Sequence, residues 1–298
     1  MLGILLSISV AFLKALSELA GKIFVNPNSE NAIDEYALSL GVRTAVIFPA
    51  LAVCLYQGLN TDISSSLIII LLGALGNAIT TVTALKAVKY GDLSLVGPLG
   101  SLTIPFLLVT SFLINRELPN IYGFVGVLII FFGTYILAIN SNTKNLLDPL
   151  KNIFSDLGAR YMLLTTFIWS LTTPIDKLGV EALGAFHWLL YLNIFAAIFL
   201  FLYIKFSRKN INLGEIIEFR NIKKIGAIAL FLGLGNVLQL LALKYTLVIY
   251  VISIKRASGV FSVLLGFLFF KEKNILYKTI ASLLMLVGVA CIILGGNI

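Results

Sequence analysis

Residues 87–90 read Ala-Val-Lys-Tyr and residues 242–245 read Ala-Leu-Lys-Tyr. The two stretches lie 155 positions apart, and the same offset aligns the rest of the chain with itself without a gap. Matches between apolar residues carry little weight, because two apolar segments share residues by chance. Shared polar, aromatic and glycine positions are informative, and they include Lys22 with Lys177, Phe106 with Phe261, Glu117 with Glu272, Tyr122 with Tyr277 and Gly133 with Gly288. The sequence therefore predicts two copies of one structural unit.

The composition places both copies in a membrane. Of 298 residues, 59% are hydrophobic and 12% are charged, and the mean hydropathy is +1.01. Soluble domains have about 45–50% apolar and about 25% charged residues, so a water-soluble fold is excluded. The two cysteines, Cys54 and Cys291, each lie in a long apolar run and indicate neither a disulfide bridge nor a metal site.

Ten apolar stretches are long enough to span a bilayer as helices, which takes about 20 residues at a rise of about 1.5 Å per residue. Runs such as residues 66–75 do not alternate in hydrophobicity as barrel strands do. We therefore expect an all-α membrane protein. The predicted spans are 2–24, 34–56, 66–88, 93–114, 120–140, 158–178, 184–206, 222–243, 247–270 and 275–296.

Each copy contains five of these spans, and an odd number makes the second copy enter the membrane from the opposite side. We expect a first repeat over residues 1–140, a linker over 141–157 and a second repeat over 158–298. Inverted repeats are common in secondary transporters, because two similar halves of opposite orientation can open a central site to either face in turn. Secondary transport is the function that this organisation favours.

The motifs at the ends of the fourth segments suggest a family. They are Asn115-Arg116-Glu117-Leu118 and Phe270-Lys271-Glu272-Lys273, and each precedes a glycine-bearing fifth segment. With the repeated Ala-Val/Leu-Lys-Tyr stretch and with Pro98 and Pro105, the chain resembles the EamA family of the drug/metabolite transporter superfamily. The resemblance implies transport rather than enzyme activity. It leaves the substrate open, since relatives carry amino acids, sugars, nucleotide-sugars, phosphorylated metabolites and drugs.

Five charged residues lie away from the ends of the predicted spans: Lys14, Glu18, Arg43, Lys255 and Arg256. A charge at the centre of a bilayer costs about 2.5–3.5 kcal/mol on insertion scales, so such residues are functional by default. Four are positive and one is negative. The surplus favours an anionic or zwitterionic substrate, while an exporter of cationic or neutral compounds and a non-transporting scaffold or receptor stay as alternatives.

Lys255 and Arg256 are the most informative pair, because together they can bracket one anion. The pair is similar to one that holds phosphate in the organophosphate and nucleotide-sugar branches of the superfamily. Alternatively, Arg256 caps backbone carbonyls or pairs with Glu18 in a purely structural role. Glu18 is also the candidate for proton coupling, although it can pair with Lys14 or with Lys22 one turn away on either side.

Uncharged residues complete the predicted substrate site, through stacking by Trp169 and hydrogen bonds from Asn77, Asn236 and Gln239. Such amides often only bridge helices. We expect His187 at the membrane interface, and we expect Glu117 and Glu272 to stabilise turns. We expect no metal, no cofactor and no catalytic centre. The expected partners are a small-molecule substrate and the lipid bilayer, with no nucleic acid, and the chain is expected to be a monomer or homodimer in the cell membrane.

Two arguments on orientation disagree. The side of the membrane with the loops after segments 1, 3, 5, 7 and 9 carries 15 Lys and Arg residues, counting the adjoining helix ends, against three on the other side. The positive-inside rule then places both termini outside. Relatives in the family are generally drawn with both termini inside.

Overall fold

The computed structural model describes residues 1–24, 34–60, 63–90, 99–138, 155–207, 213–216, 218–270 and 275–295. In these ranges all regular secondary structure is helical, and there is no β-strand. Two short 3-10 helices (Ser64–Ser66 and Leu213–Ile216) accompany the α-helices. The α-helices are α1 (Leu2–Phe24), α2 (Glu35–Gln57), α3 (Leu67–Tyr90), α4 (Thr103–Asn115), α5 (Ile121–Ala138), α6 (Leu157–Leu183), α7 (Ala185–Phe206), α8 (Phe219–Tyr245), α9 (Val248–Arg256), α10 (Ser258–Phe270) and α11 (Ile275–Leu294).

These helices confirm the predicted all-α fold of two inverted five-helix repeats. Five described stretches are long and apolar enough to cross a membrane, and four shorter helices are also apolar. Some of the predicted spans differ in detail from the helices. The span 247–270 is two helices, α9 and α10, separated at Ala257. The span 158–178 ends too early, because α6 continues to Leu183 and stops where Gly184 adopts a φ of 81°.

Contacts between helix ends define two faces of the bundle. On one face, where α1 begins and α11 ends, Asn120 Nδ2 donates to Gly295 O at 2.6 Å and His187 Nε2 lies 3.1 Å from Gly58 O. We call this the terminal face. On the opposite face, Lys86 Nζ lies 5.3 Å from the ring of Tyr161. We call it the basic face, after the lysine- and arginine-rich loops of the sequence. Helix α1 begins at the terminal face, whereas α6 ends there.

The repeats interlock rather than pack side by side. Helix α1 packs along α8 and also along α9 and α10, while α3 and α4 pack along α6. Helix α5 packs on α11, where a Cβ on Gly126 would lie 2.6 Å from Gly288 O. This close approach requires glycine. Two units therefore face each other across the centre, the α1 unit (α1, α8, α9, α10) and the α6 unit (α3, α4, α6).

Pro174 lies inside α6 and removes one hydrogen bond of the helix, because proline has no backbone N–H to donate to the carbonyl of Ser170. Thr110 of α4 replaces the missing donor, with its Oγ1 donating to Ser170 O at 2.6 Å. Asn115 Nδ2 donates to Pro174 O at 3.3 Å. Satisfying the freed carbonyl matters in a bilayer, where water is absent, so α4 compensates for the proline in α6.

The fully buried indole of Trp188 packs directly on Gly179, and a Cβ at position 179 would lie 2.1 Å from its ring. Gly179→Ala is therefore expected to displace Trp188 and to lower the free energy of unfolding by about 1–3 kcal/mol, the cost of overpacking. Gly226→Ala is the matched control, since nothing lies within 4 Å of a Cβ there. Thermal unfolding of the purified variants in detergent measures both; equal melting temperatures would contradict the tight packing.

Candidate functional site

A cavity of about 250 Å³ lies between the two units, and both repeats contribute to its walls. Among its lining residues are all eight that the sequence predicts for substrate binding. Asp176, Thr103 and Asn193 also line it. The predicted residues at the cavity are Lys14, Arg43, Asn77, Trp169, Asn236, Gln239, Lys255 and Arg256.

Arg256 is held by two elements of the α6 unit. Its Nη2 donates to Thr103 Oγ1 at 2.9 Å, and its guanidinium carbon lies 5.5 Å from the centre of the Trp169 ring. Stacking on an aromatic face attracts a guanidinium through the ring quadrupole and leaves its edge free to donate hydrogen bonds. Arg256 therefore joins α9 to α4 and α6 across the cavity, with its charged group oriented by both.

Lys255 lies beside Arg256, and its Nζ donates to Gln239 Oε1 at 2.5 Å. The sequence places the pair in the middle of a span, but the break at Ala257 puts both residues in the last turn of α9. Carbonyl groups at a helix C-terminus carry partial negative charge and stabilise nearby cations. The break thus supplies a favourable environment for two positive charges in the interior of the bundle.

The other repeat has a turn at the matching position. Residues 101–102 form a turn before α4 begins at Thr103, and Leu102 is the counterpart of Ala257 at the offset of 155. Thr103 and Arg256, which flank the two breaks, line the cavity and bond to each other. Interrupted helices at corresponding positions of two inverted repeats mark the binding sites of many transporters.

Arg43 links α2 to α3 at the cavity wall, where its Nη2 lies 3.1 Å from Asn77 O and 2.7 Å from Thr81 Oγ1. A second cavity of about 300 Å³ shares Arg43 and Asn77 with the first. It is also lined by Leu38 and Ser39, near the start of α2. Because α2 begins at the basic face, the two cavities together lead from the centre toward that face.

A junction between the repeats lies at the terminal face. The carboxylate of Glu117 forms an ion pair with Lys177 of α6, and its Oε2 accepts a hydrogen bond from the backbone N–H of Val248 at 2.8 Å. Lys177 Nζ also lies 3.4 Å from Thr246 O. Glu117 thus caps the N-terminus of α9 from the other repeat. We call Glu117, Lys177, Thr246 and Val248 the Glu117 junction.

Comparison with known proteins identifies the family. The family model described as "EamA-like transporter family" matches residues 1–139 and again residues 156–294. The chain belongs to the EamA-like transporter family. One solved structure, described only as the crystal structure of a protein, matches this EamA-like chain with a TM-score of 0.78 and 16% identity, covering 98% of this chain and 96% of that one. At this identity the likeness shows the fold alone. No curated protein matches significantly in sequence.

Asp176 is a cavity residue that sequence reasoning missed. The predicted span ended at 178 and so placed Asp176 at the interface, but in the EamA-like fold it lies two turns inside α6 and is 8% exposed. Its Oδ1 accepts a hydrogen bond from Trp188 Nε1 at 3.0 Å, and Asp176 lines the cavity together with Lys255. The helical spacing of Trp169, Thr173 and Asp176 was the signal that would have found it.

The structure describes the surroundings of some of the other predicted residues of this EamA-like protein but not of all. Glu117 does more than fix a turn, since it bonds to the second repeat. Glu272 and the side chain of Glu18 lie outside the described residues. His187 is 9% exposed and lies 3.3 Å from the backbone nitrogen of Asn60. Among the described residues, no group of three His, Cys, Asp or Glu residues can hold a metal ion.

Proposed function

We propose that this EamA-like protein is a secondary transporter that moves a small anionic or zwitterionic metabolite by alternating access. The observation that carries the proposal is the charge around the central cavity. In the described part of the chain, four cations, Lys14, Arg43, Lys255 and Arg256, line it together with one carboxylate, Asp176.

Among the described residues of the cavity, positive charges outnumber negative charges by three, and such an excess attracts an anion. Asp176 offsets one cation. A bound anion offsets others and, through Lys255 and Arg256, gains charge-assisted hydrogen bonds. The residues named by the sequence then have distinct roles: Lys255 and Arg256 bind the anionic group, Lys14 and Arg43 assist, and the amides Asn77, Asn236 and Gln239 hydrogen-bond the rest of the substrate.

The size of the cavity supports a small substrate. Sites for drug-sized ligands enclose about 300–1,000 Å³, whereas this cavity measures about 250 Å³. Trp169 offers an aromatic face, but Arg256 already stacks on it. A cationic substrate would have to displace that guanidinium and would face four positive charges, so we favour an anion or zwitterion over a cation.

Alternating access follows from the arrangement of the two units. The cavity leads toward the basic face, while the Glu117 junction joins α4, α6 and α9 at the terminal face. Exchange of roles between two inverted repeats would close the first face and open the second. The positive-inside rule makes the basic face cytoplasmic in the cell membrane, so we propose that the described conformation opens to the cytoplasm. Proton coupling through Glu18 remains a prediction.

A ligand screen tests the proposed substrate class. Purified protein in detergent is heated with members of four matched sets of metabolites: anions, zwitterions, cations and neutral compounds of similar size. A compound that binds the folded state raises the melting temperature with its concentration. We expect the anionic or zwitterionic sets to contain the stabilising compounds, and uptake of these by reconstituted vesicles. Stabilisation by cations alone would contradict the proposal, and stabilisation without transport would favour a receptor.

A further inference from the structure

Asp176 is the carboxylate among the charged residues that line the central cavity in the described part of the chain. One carboxylate oxygen accepts a hydrogen bond from Trp188 Nε1 at 3.0 Å, and Asp176 and Lys255 line the same cavity. Lys255 is also a ligand for the anion in the proposed function. Asp176 and a bound anion therefore compete for the same cation.

We propose that Asp176 couples anion binding to proton uptake. In the empty cavity the ionised Asp176 is a counter-ion of Lys255. When an anion binds to Lys255 and Arg256, Asp176 loses part of that stabilisation, faces a second negative charge and takes up one proton. The proposal rests on the function proposed above, because it requires the cavity to bind an anion.

Electrostatics gives the direction of the coupling. A second negative charge nearby destabilises the ionised form of a carboxylate. A cation that binds another partner no longer stabilises that ionised form. Anion binding therefore promotes protonation of Asp176. Since linkage is reciprocal, protonation of Asp176 strengthens anion binding by the same factor. Acidic pH is thus expected to tighten binding, and alkaline pH to weaken it, until Asp176 is fully ionised.

Few other titratable groups share this environment. Helix α9 contributes Lys255 and Arg256, and α1 and α2 contribute Lys14 and Arg43 across the cavity. Helix α7 contributes the indole of Trp188. Other groups on the packed elements are bonded elsewhere or lie near helix ends. Those bonded elsewhere include Glu117 and Lys177 in the Glu117 junction, His187 and Tyr191 at residues 58–60, and Tyr250 of α9 at Asn120. Those near helix ends include Lys86, Lys89 and Tyr90 of α3, Tyr203 and Lys205 of α7, and Lys223, Lys224 and Lys244 of α8.

The two tryptophans of the chain make the ionisation of Asp176 measurable. Trp169→Phe keeps an aromatic ring under Arg256 and leaves Trp188, which donates to Asp176, as the fluorophore. Its fluorescence is followed from acid to alkaline pH in detergent, with and without sulfate, while chloride keeps the ionic strength constant. Sulfate is the probe because its own charge does not change near neutral pH.

We expect one protonation step in the Trp188 fluorescence, and sulfate should move its midpoint upward by about one pH unit, equivalent to about tenfold tighter binding to the protonated form. Asp176→Asn should remove the step and make sulfate binding independent of pH. Glu181→Gln, which replaces an exposed carboxylate on the same helix, is the matched control and should leave both unchanged.

A second measurement does not depend on any substitution. Addition of sulfate to the unmodified protein in weakly buffered solution should consume up to one proton per chain, read with a pH indicator. Sulfate binding without proton uptake, or coupling that survives in Asp176→Asn and disappears in Glu18→Gln, would overturn the role of Asp176 and leave the proposed function standing. Failure of sulfate to bind at any pH would contradict the anion site itself.

Discussion

Replacement of Lys255 and Arg256 together by glutamine is expected to abolish uptake of the transported anion by reconstituted vesicles. Hydrogen bonds to charged groups contribute about 1.5–3 kcal/mol each. Loss of two such contacts amounts to about 3–6 kcal/mol, which weakens binding by a factor of about 10² to 10⁴. Both side chains lie at the C-terminus of α9 and line the cavity, so the loss acts at the site rather than at a distant surface.

Two control variants distinguish the loss of positive charge at the cavity from a failure of the protein to fold. Lys244→Gln removes an exposed cation at the end of α8 and should leave uptake unchanged. Arg256→Lys keeps the charge, but an ammonium cannot both stack flat on Trp169 and present a planar edge, so it should fall between the wild type and the double variant. The measurements are initial uptake rates and melting temperatures. Undiminished uptake by a folded double variant would remove the anion-binding assignment.

Glu117→Gln is expected to cause the largest loss of stability, about 3–5 kcal/mol in the free energy of unfolding. Glu117 is 9% exposed and the Lys177 side chain is 14% exposed, so the substitution leaves a nearly buried lysine without its counter-ion. Removing one partner of a buried ion pair typically costs this much, whereas replacing both partners costs far less. Denaturant or thermal unfolding in lipid-detergent micelles measures the change.

The double variant Glu117→Gln with Lys177→Met tests the cause. It should recover much of the lost stability, because no unpaired charge remains, although the cap on Val248 is weakened. Glu117→Gln also probes the terminal face, since it is expected to weaken the contact between the repeats there. If Glu117→Gln is as stable as the wild type, the ion pair does not hold the repeats together.

The sequence predicts the helices well because the bilayer imposes a minimum length on apolar segments, and the offset of 155 fixes their pairing into repeats. The eight residues that it predicts for substrate binding line the cavity, since charged and amide groups avoid lipid, and their role in binding stays a prediction. The break at Ala257 was not predictable in this way, because the span 247–270 is apolar enough on average to cross a membrane despite the polar residues beside Ala257. The bond from Arg256 to Thr103 is likewise invisible in the pattern, which contains no information on the register between repeats.

Asp176 was missed for a related reason. The segment 174–177, Pro-Ile-Asp-Lys, is typical of the end of a membrane span. The predicted span therefore ends at residue 178. In the structure Thr110 satisfies the carbonyl freed by the proline, and Glu117 neutralises the lysine. Partners from another repeat thus allow α6 to continue. Only tertiary contacts reveal such compensation.

The cavity charges are divided unequally between the two units. Lys14, Lys255 and Arg256 belong to the α1 unit, while Asp176 belongs to the α6 unit. Under the proposed alternating access, rocking of these units would displace fixed charge through the electric field of the membrane, worth about 2.3 kcal/mol per elementary charge that crosses 100 mV. The empty carrier would then reorient at a rate that depends on voltage, and a bound anion would reduce the charge that moves.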